Sequence, residues 1–213
     1  MYPFTWRDIN QQAINYVKTE EYLHNMKSRA AKIQHQKKER KVNNMIIFFV
    51  DGSCRKNPGP GGFGVVAMND QEPNVIKYTY SEQCEHTTNN REELKAILHA
   101  FEIIEKEHIN KATVYSDSAY CVNMLNEWIF NWAKNDWKNS KKQTVENIDL
   151  VQSLYKYVTK NYFYCQVMKV KGHNGNAFNE LADALATNDS NKFTKILQKE
   201  GLSENPIEIF KNL

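Results

Sequence analysis

The chain has 213 residues, a net charge of +3 and 41% hydrophobic residues, enough for one domain with a real core plus extensions. No apolar run approaches the roughly 20 residues of a membrane helix, and the opening MYPFTWRDIN lacks a basic stretch followed by an apolar one, so neither a membrane span nor a signal peptide is expected. Cys54, Cys84, Cys121 and Cys165 are widely spaced with no C-x-x-C pair, which argues against a zinc or redox motif and suits reduced thiols in the cytoplasm.

Residues 1–44 carry +5, leaving the remaining 169 at −2. This basic extension holds no Gly or Pro after residue 3, and Ile9, Ala13 and Val17, then Leu23, Met26, Ala30 and Ile33, recur at helical spacing. One long helix or a helical hairpin is expected, ending in KKERK (37–41). Met45–Val50 is an unbroken apolar run, the pattern of a strand buried on both faces. NPGPGG (57–62) reads as a turn, and 63–68 and 75–80 as two further strands joined by a hairpin loop. Leu94, Ile97, Phe101 and Ile104 mark a helix over 90–107, followed by a short strand at 113–116 and a helix at 118–133. WAKNDWKNSKKQT (132–144) is polar, basic and aromatic. A helix at 147–159, a strand at 164–170, the loop KGHNGN and a helix at 177–188 complete a domain over 45–188, with a C-terminal tail beyond it that is expected to be helical or loosely ordered. Strands followed by strand–helix alternation predict an α/β sheet with one antiparallel hairpin edge.

If the strands at 45–50, 113–116 and 164–170 are parallel neighbours, Asp51 and Asp117 lie just past adjacent strand ends. That is the edge where open α/β sheets bind ligands. The helix feeding 113–116 must start at the same edge, bringing Glu93; the chain leaving 164–170 brings His173, and the next helix brings Asp183. Singly, each has a plainer reading. Asp51 would be a turn residue, Glu93 an acid favoured by the helix dipole, Asp117 a helix N-cap, Asp183 a solvated acid and His173 a loop or core histidine. Together they form a set of like charges that needs a counterion. Mg2+ suits it: a hard cation that takes oxygen ligands and keeps several waters. Two such ions about 4 Å apart can activate a water and stabilise a leaving oxygen in phosphodiester cleavage.

Six segments in this order, DGSCRKNPGPGGFG (51–64), TTNNREEL (87–94), SDSAY (116–120), WIFNWAKNDWK (128–138), VKGHNG (170–175) and NELAD (179–183), resemble type 1 ribonuclease H over about residues 45–188. The resemblance implies a ribonuclease H-like α/β fold: a five-stranded mixed sheet, with an antiparallel three-strand meander and two parallel strands, flanked by helices. It implies an endoribonuclease that cuts the RNA strand of RNA–DNA hybrids with two Mg2+ ions (Mn2+ as an alternative), leaving 5′-phosphate and 3′-hydroxyl ends. Asp51, Glu93, Asp117 and Asp183 fall on the metal-binding acids; the pattern NNRxEL selects Glu93 over its neighbour Glu92. His173 falls on the histidine of the family's mobile loop, assigned to proton transfer and product release. Asn57 and Asn90 fall where 2′-hydroxyls of the RNA strand are read, and Thr88 near a DNA-phosphate pocket.

NPGPGG is then a turn that exposes Asp51, since no Gly-Lys-Ser/Thr follows it to make a P-loop. The segment 128–144 is similar to the family's basic protrusion: Trp132 and Trp137 offer flat apolar surfaces, and Lys134, Lys138, Lys141 and Lys142 offer phosphate contacts. Ala133, Asn135 and Asp136 dilute its charge. Residues 1–44 do not resemble the N-terminal hybrid-binding domain of some relatives. A non-catalytic duplex-binding module, another nuclease of the superfamily such as an integrase or resolvase, and a fragment of a reverse transcriptase are the rivals. A monomer without small-molecule cofactor or membrane attachment is expected.

Overall fold

The computed structural model describes residues 45–161, 165–171 and 175–204. The predicted helical extension at 1–44, His173 and the end of the tail lie outside the described residues.

The sheet is built around β1 (Ile46–Cys54). β2 (Gly59–Asn69) and β3 (Glu72–Thr87) follow it as an antiparallel meander. On the other side of β1, β4 (Ala112–Ser116) and β5 (Cys165–Lys169) add in parallel. The unbroken apolar run of β1 has the cause the sequence suggested. Phe48 and Val50 enter one core with Phe63, Val65, Leu94 and Ile97. Phe49 enters a second core on the opposite face with Val66, Met68, Ile76 and Leu181.

The first core is covered by α1 (Asn89–Lys106) and α4 (Ile148–Asn161). Helix α1 starts where Thr88 accepts a hydrogen bond from the Arg91 N–H at 3.3 Å, an N-cap contact. Its predicted apolar stripe, Leu94, Ile97, Phe101 and Ile104, is buried. The helix expected at 118–133 is divided into α2 (Ala119–Asn123), a π-helical segment Met124–Trp128 and α3 (Ile129–Lys134). Helix α5 (Ala177–Ala186) covers the second core together with α6 (Ser190–Glu200). No described helix is long and apolar enough to cross a membrane.

Two features differ from the sequence reading. The sheet has six strands, not five, in the order β5-β4-β1-β2-β3-β6. The added β6 (Ser203–Glu204) pairs in parallel with Val75 and Ile76 of β3, so residues 190–204 form a helix and a strand that join the sheet. The second difference is the length of the meander. Strand β1 runs on through Asp51 to Cys54 because its antiparallel ladder with β2 continues after the parallel ladder with β4 has stopped at Val50↔Ser116. Asp51 therefore lies within a strand, opposite Gly64, and not in a turn after it.

Glycine is required at two places beside Asp51. A Cβ on Gly52 would fall 2.2 Å from the backbone nitrogen of Glu93, and one on Gly64 would fall 2.2 Å from the Ala182 carbonyl oxygen. These bare backbones let α1 close on one face of the sheet and α5 on the other. Gly64→Ala must push α5 outward, since its Cβ would also meet the Leu185 Cβ at 2.6 Å. The expected cost is about 1–3 kcal/mol of overpacking, read as a lower denaturant midpoint; an unchanged midpoint would show that α5 shifts freely.

Candidate active site

At the C-terminal edge of β1 and β4, three carboxylates meet. Asp51, Glu93 and Asp117 each present an oxygen, and these oxygens all lie within 4.8 Å of one another. Asp51 and Glu93 are buried and Asp117 is half-buried, so solvent reaches the group at Asp117.

Local structure assigns each acid by occupying its neighbours. At the start of α1, Glu92 is fully buried, accepts a hydrogen bond from the Thr87 hydroxyl at 2.6 Å and pairs with Lys95 at 3.0 Å. Glu92 is thereby the structural acid of the helix start, and Glu93 is the one that joins Asp51 and Asp117. After β4, Ser118 caps α2 by accepting from the Cys121 N–H at 3.3 Å. The capping alternative for Asp117 is therefore taken by the next residue, which leaves the Asp117 carboxylate to the cluster.

Asp183 sits on α5 close enough to Asp51 to raise its proton affinity by charge and by a side-chain hydrogen bond. It is not among the three tightly grouped oxygens. Its Oδ2 is ion-paired with Lys192 Nζ of α6. The lysine was not foreseen, because a contact between α5 and α6 has no signature in sequence spacing.

The electrostatics follow from burial and like charge. Burial, then the charges of Asp117 and Asp183, push the Asp51 carboxyl up to about 8, even though it accepts the Gly52 N–H at 2.9 Å. Burial, then the charges of Asp51 and Asp117, push Glu93 well above the usual carboxylate range. Glu93 Oε2 is buried with no hydrogen-bond partner. A buried orphan oxygen costs free energy. Grouped, partly desolvated carboxylates with such an oxygen are the donor set a hard divalent cation takes, and such a cation keeps water or substrate oxygens among its ligands. The residues fit a metal.

Asn179 is a further member that the sequence reading missed. It is buried on α5, its Nδ2 lies 3.5 Å from Asp117 Oδ2, and its Oδ1 has no partner. Its signal was its place in NELAD, where the motif's acid drew attention first. Arg91 was also missed; it grips Asp149 at 3.0 and 2.5 Å and Asn147 at 3.3 Å, tying the start of α1 to α4.

The family model for RNase H matches residues 43–191, the segment that carries all of these acids. The chain belongs to the ribonuclease H family. It is 41% identical over 142 residues to the ribonuclease H of Caldicellulosiruptor saccharolyticus, covering 66% of this chain and 92% of that one. It is also 41% identical over 157 residues to the ribonuclease H of Orientia tsutsugamushi, covering 73% and 88%. Among solved structures it is similar in fold to LC11-RNase H1 in complex with an RNA/DNA hybrid, with a TM-score of 0.53 and 20% identity over 69% of this chain and 97% of that one.

The remaining predicted contact residues have mixed settings. Asn57 Oδ1 accepts the Asn89 N–H at 3.0 Å, joining the β1–β2 turn to the start of α1. Thr88 Oγ1 is engaged in capping, and Asn90 is half-exposed in the first turn. Trp132 and Trp137 are half-buried and pack on the first core. Trp132 lies beside Trp128 with ring centroids 6.0 Å apart, and Trp137 meets Tyr155 edge-on at 5.3 Å. Lys134, Lys138 and Lys142 line an open cleft with Trp128, Asn131 and Trp132, whereas Lys141 is not part of its lining.

The raised Asp51 and Glu93 carboxyls give a signed pH dependence. The folded metal-free protein holds protons that the unfolded chain has released, so the stability these two groups contribute is fully present below their ordinary values of 3.8 and 4.5 and is lost as pH climbs, for Asp51 toward about 8. In chelator, the melting temperature should fall from about pH 5 to about pH 8. Asp51→Asn should flatten that fall, and a divalent cation should reverse it. A melting temperature that rises over this range contradicts the electrostatic reading.

Proposed function

We infer that this protein is an endoribonuclease that hydrolyses the RNA strand of RNA–DNA hybrids. The observation that carries the reading is the buried group of Asp51, Glu93 and Asp117 at the sheet edge, inside the segment the family model matches. The RNA/DNA hybrid bound by the similar LC11-RNase H1 supports the same substrate.

Asp51, Glu93, Asp117 and Asp183 would hold two Mg2+ ions. When bound, such ions promote ionisation of an attacking water and stabilise negative charge on the departing 3′-oxygen. The chain's own contributions are position and charge. Asp51 and Glu93 are held on regular elements, one inside a strand and one just past the first turn of α1, so their oxygens need little reorganisation. Water attacks phosphorus, the P–O3′ bond breaks, and the products carry a 5′-phosphate and a 3′-hydroxyl. His173 would accept and return a proton near the departing products.

The Asn57 side chain reaches the start of α1 from the β1–β2 turn, and Asn90 lies in the first turn of that helix. We assign them to 2′-hydroxyls on the RNA strand and Thr88 to a phosphate on the DNA strand. The cleft of Lys134, Lys138 and Lys142 with its tryptophans, and Lys141 beside it, would take backbone phosphates at a distance from the scissile bond. Binding by phosphate and sugar contacts makes selection depend on duplex form and not on base sequence. The reading takes the chain as a monomer acting in the cytoplasm without a small-molecule cofactor.

The test is cleavage of a labelled hybrid with Mg2+, beside single-stranded RNA, duplex RNA and duplex DNA. Hybrid-only, metal-dependent cutting is expected. Asp117→Asn should reduce it by at least about 100-fold with hybrid affinity retained, since affinity rests on lysines and hydroxyl contacts. His173→Ala should slow it by about 10- to 100-fold without abolishing it. Tight hybrid binding with no cutting in Mg2+ or Mn2+ would instead make the protein a binding module on this fold.

A further inference from the structure

Helix α6 stands outside the acid cluster yet delivers a charge to it. Its N-cap, Asp189, accepts the Lys192 N–H at 2.9 Å. Its C-terminus ends on Gly201 in the left-handed region (φ 62°), and the chain then pairs with β3 as β6. Between these ends Ile196 is buried in the second core, with Phe193, Leu197 and Leu202 packed against it. The helix is therefore fixed at both ends and along one face.

Lys192 lies in the first turn of α6. A cation is disfavoured there by the helix dipole. Its ammonium is compensated by Asp183 Oδ2, with which it forms an ion pair between the two helices. The Asp183 side chain is 18% exposed and that of Lys192 37%, so the pair is only partly screened by solvent. Asp183, on the helix beside the cluster, is thus already paired with a resident cation. Among the described residues no Lys or Arg forms an ion pair with Asp51, Glu93 or Asp117.

We propose that Lys192 is a built-in competitor for divalent cation at Asp183. Its ammonium occupies the charge position that a cation on this carboxylate would take, and such a cation must displace it. Cation occupancy is thereby ordered: the group of Asp51, Glu93 and Asp117 fills first, and the Asp183 side fills only at higher concentration. This rests on the proposed metal-dependent function. Lys192 acts through Asp183, so it is a positioning residue and not a catalytic one.

The experiment is an Mn2+ titration of the full chain without nucleic acid, with free Mn2+ followed by electron paramagnetic resonance. Lys192→Met should tighten the weaker class of sites by about three- to tenfold, the size expected for removing one like charge in a partly solvated setting. Lys192→Arg keeps the charge and should titrate like wild type. Lys199→Met, which removes an equal charge from a residue paired with Glu200, should change affinity less than about twofold. In parallel, the Mg2+ concentration for half-maximal hybrid cleavage should fall in Lys192→Met. Unchanged or weakened Mn2+ binding in Lys192→Met, with wild type still binding Mn2+ and cleaving hybrid, overturns this inference alone. A wild type that neither binds Mn2+ nor cleaves hybrid overturns the proposed function and this inference with it.

Discussion

Carboxylates of like charge repel, and the organisation of this protein follows from holding several of them together in a half-buried place. The force that holds them is not electrostatic. It is packing, and it acts through two bare stretches of backbone. Gly52 admits the first turn of α1 to within contact of β1, and Gly64 admits α5 to β2. Both flank Asp51, one next to it in sequence and one opposite it in register. Closure on both faces of the sheet converts hydrophobic burial in the two cores into proximity of charges. The raised proton affinity of Asp51 and Glu93 is the trace of that conversion.

A second constraint is that helix starts also need polar groups, so acids near them are ambiguous. Here the ambiguity is resolved by adjacent pairs. Thr88 caps α1 while Glu92 satisfies Thr87 and Lys95. Ser118 caps α2. The neighbouring Glu93 and Asp117 are relieved of local hydrogen-bonding duties and remain available to a cation. In each pair one residue serves the fold and the next serves the site, and mutation of either member can reach the other through the same turn of backbone.

Much of this was legible from sequence because it depends on short periodicities. The apolar run of β1, the stripe of α1 and the parallel order of β1 and β4 follow from burial patterns, and strand ends placed Asp51 and Asp117 together. The legible part stops where contacts depend on depth and register. The extension of β1 past Asp51 depends on β2 remaining paired after β4 has ended. Glu93 was separated from Glu92 by the motif NNRxEL alone; the physical reason, Glu92 being engaged by Thr87 and Lys95, depends on the direction of the helix start. Trp132 and Trp137 had no period to mark them as core or surface, and both prove half-buried against the first core.

The region least legible was 190–204, where a short strand of two residues carries no pattern at all. Its effect on the fold is nevertheless definite. An outer strand such as β3 presents unpaired backbone groups; β6 covers part of that edge, and α6 extends the second core with Ile196. The same segment sets a cation beside Asp183. Edge protection and site electrostatics are thus linked through one helix: the apolar face that makes α6 stable is also what fixes the position of Lys192. An element that contributes no residue to the acidic centre can therefore hold a charge beside it through its own packing.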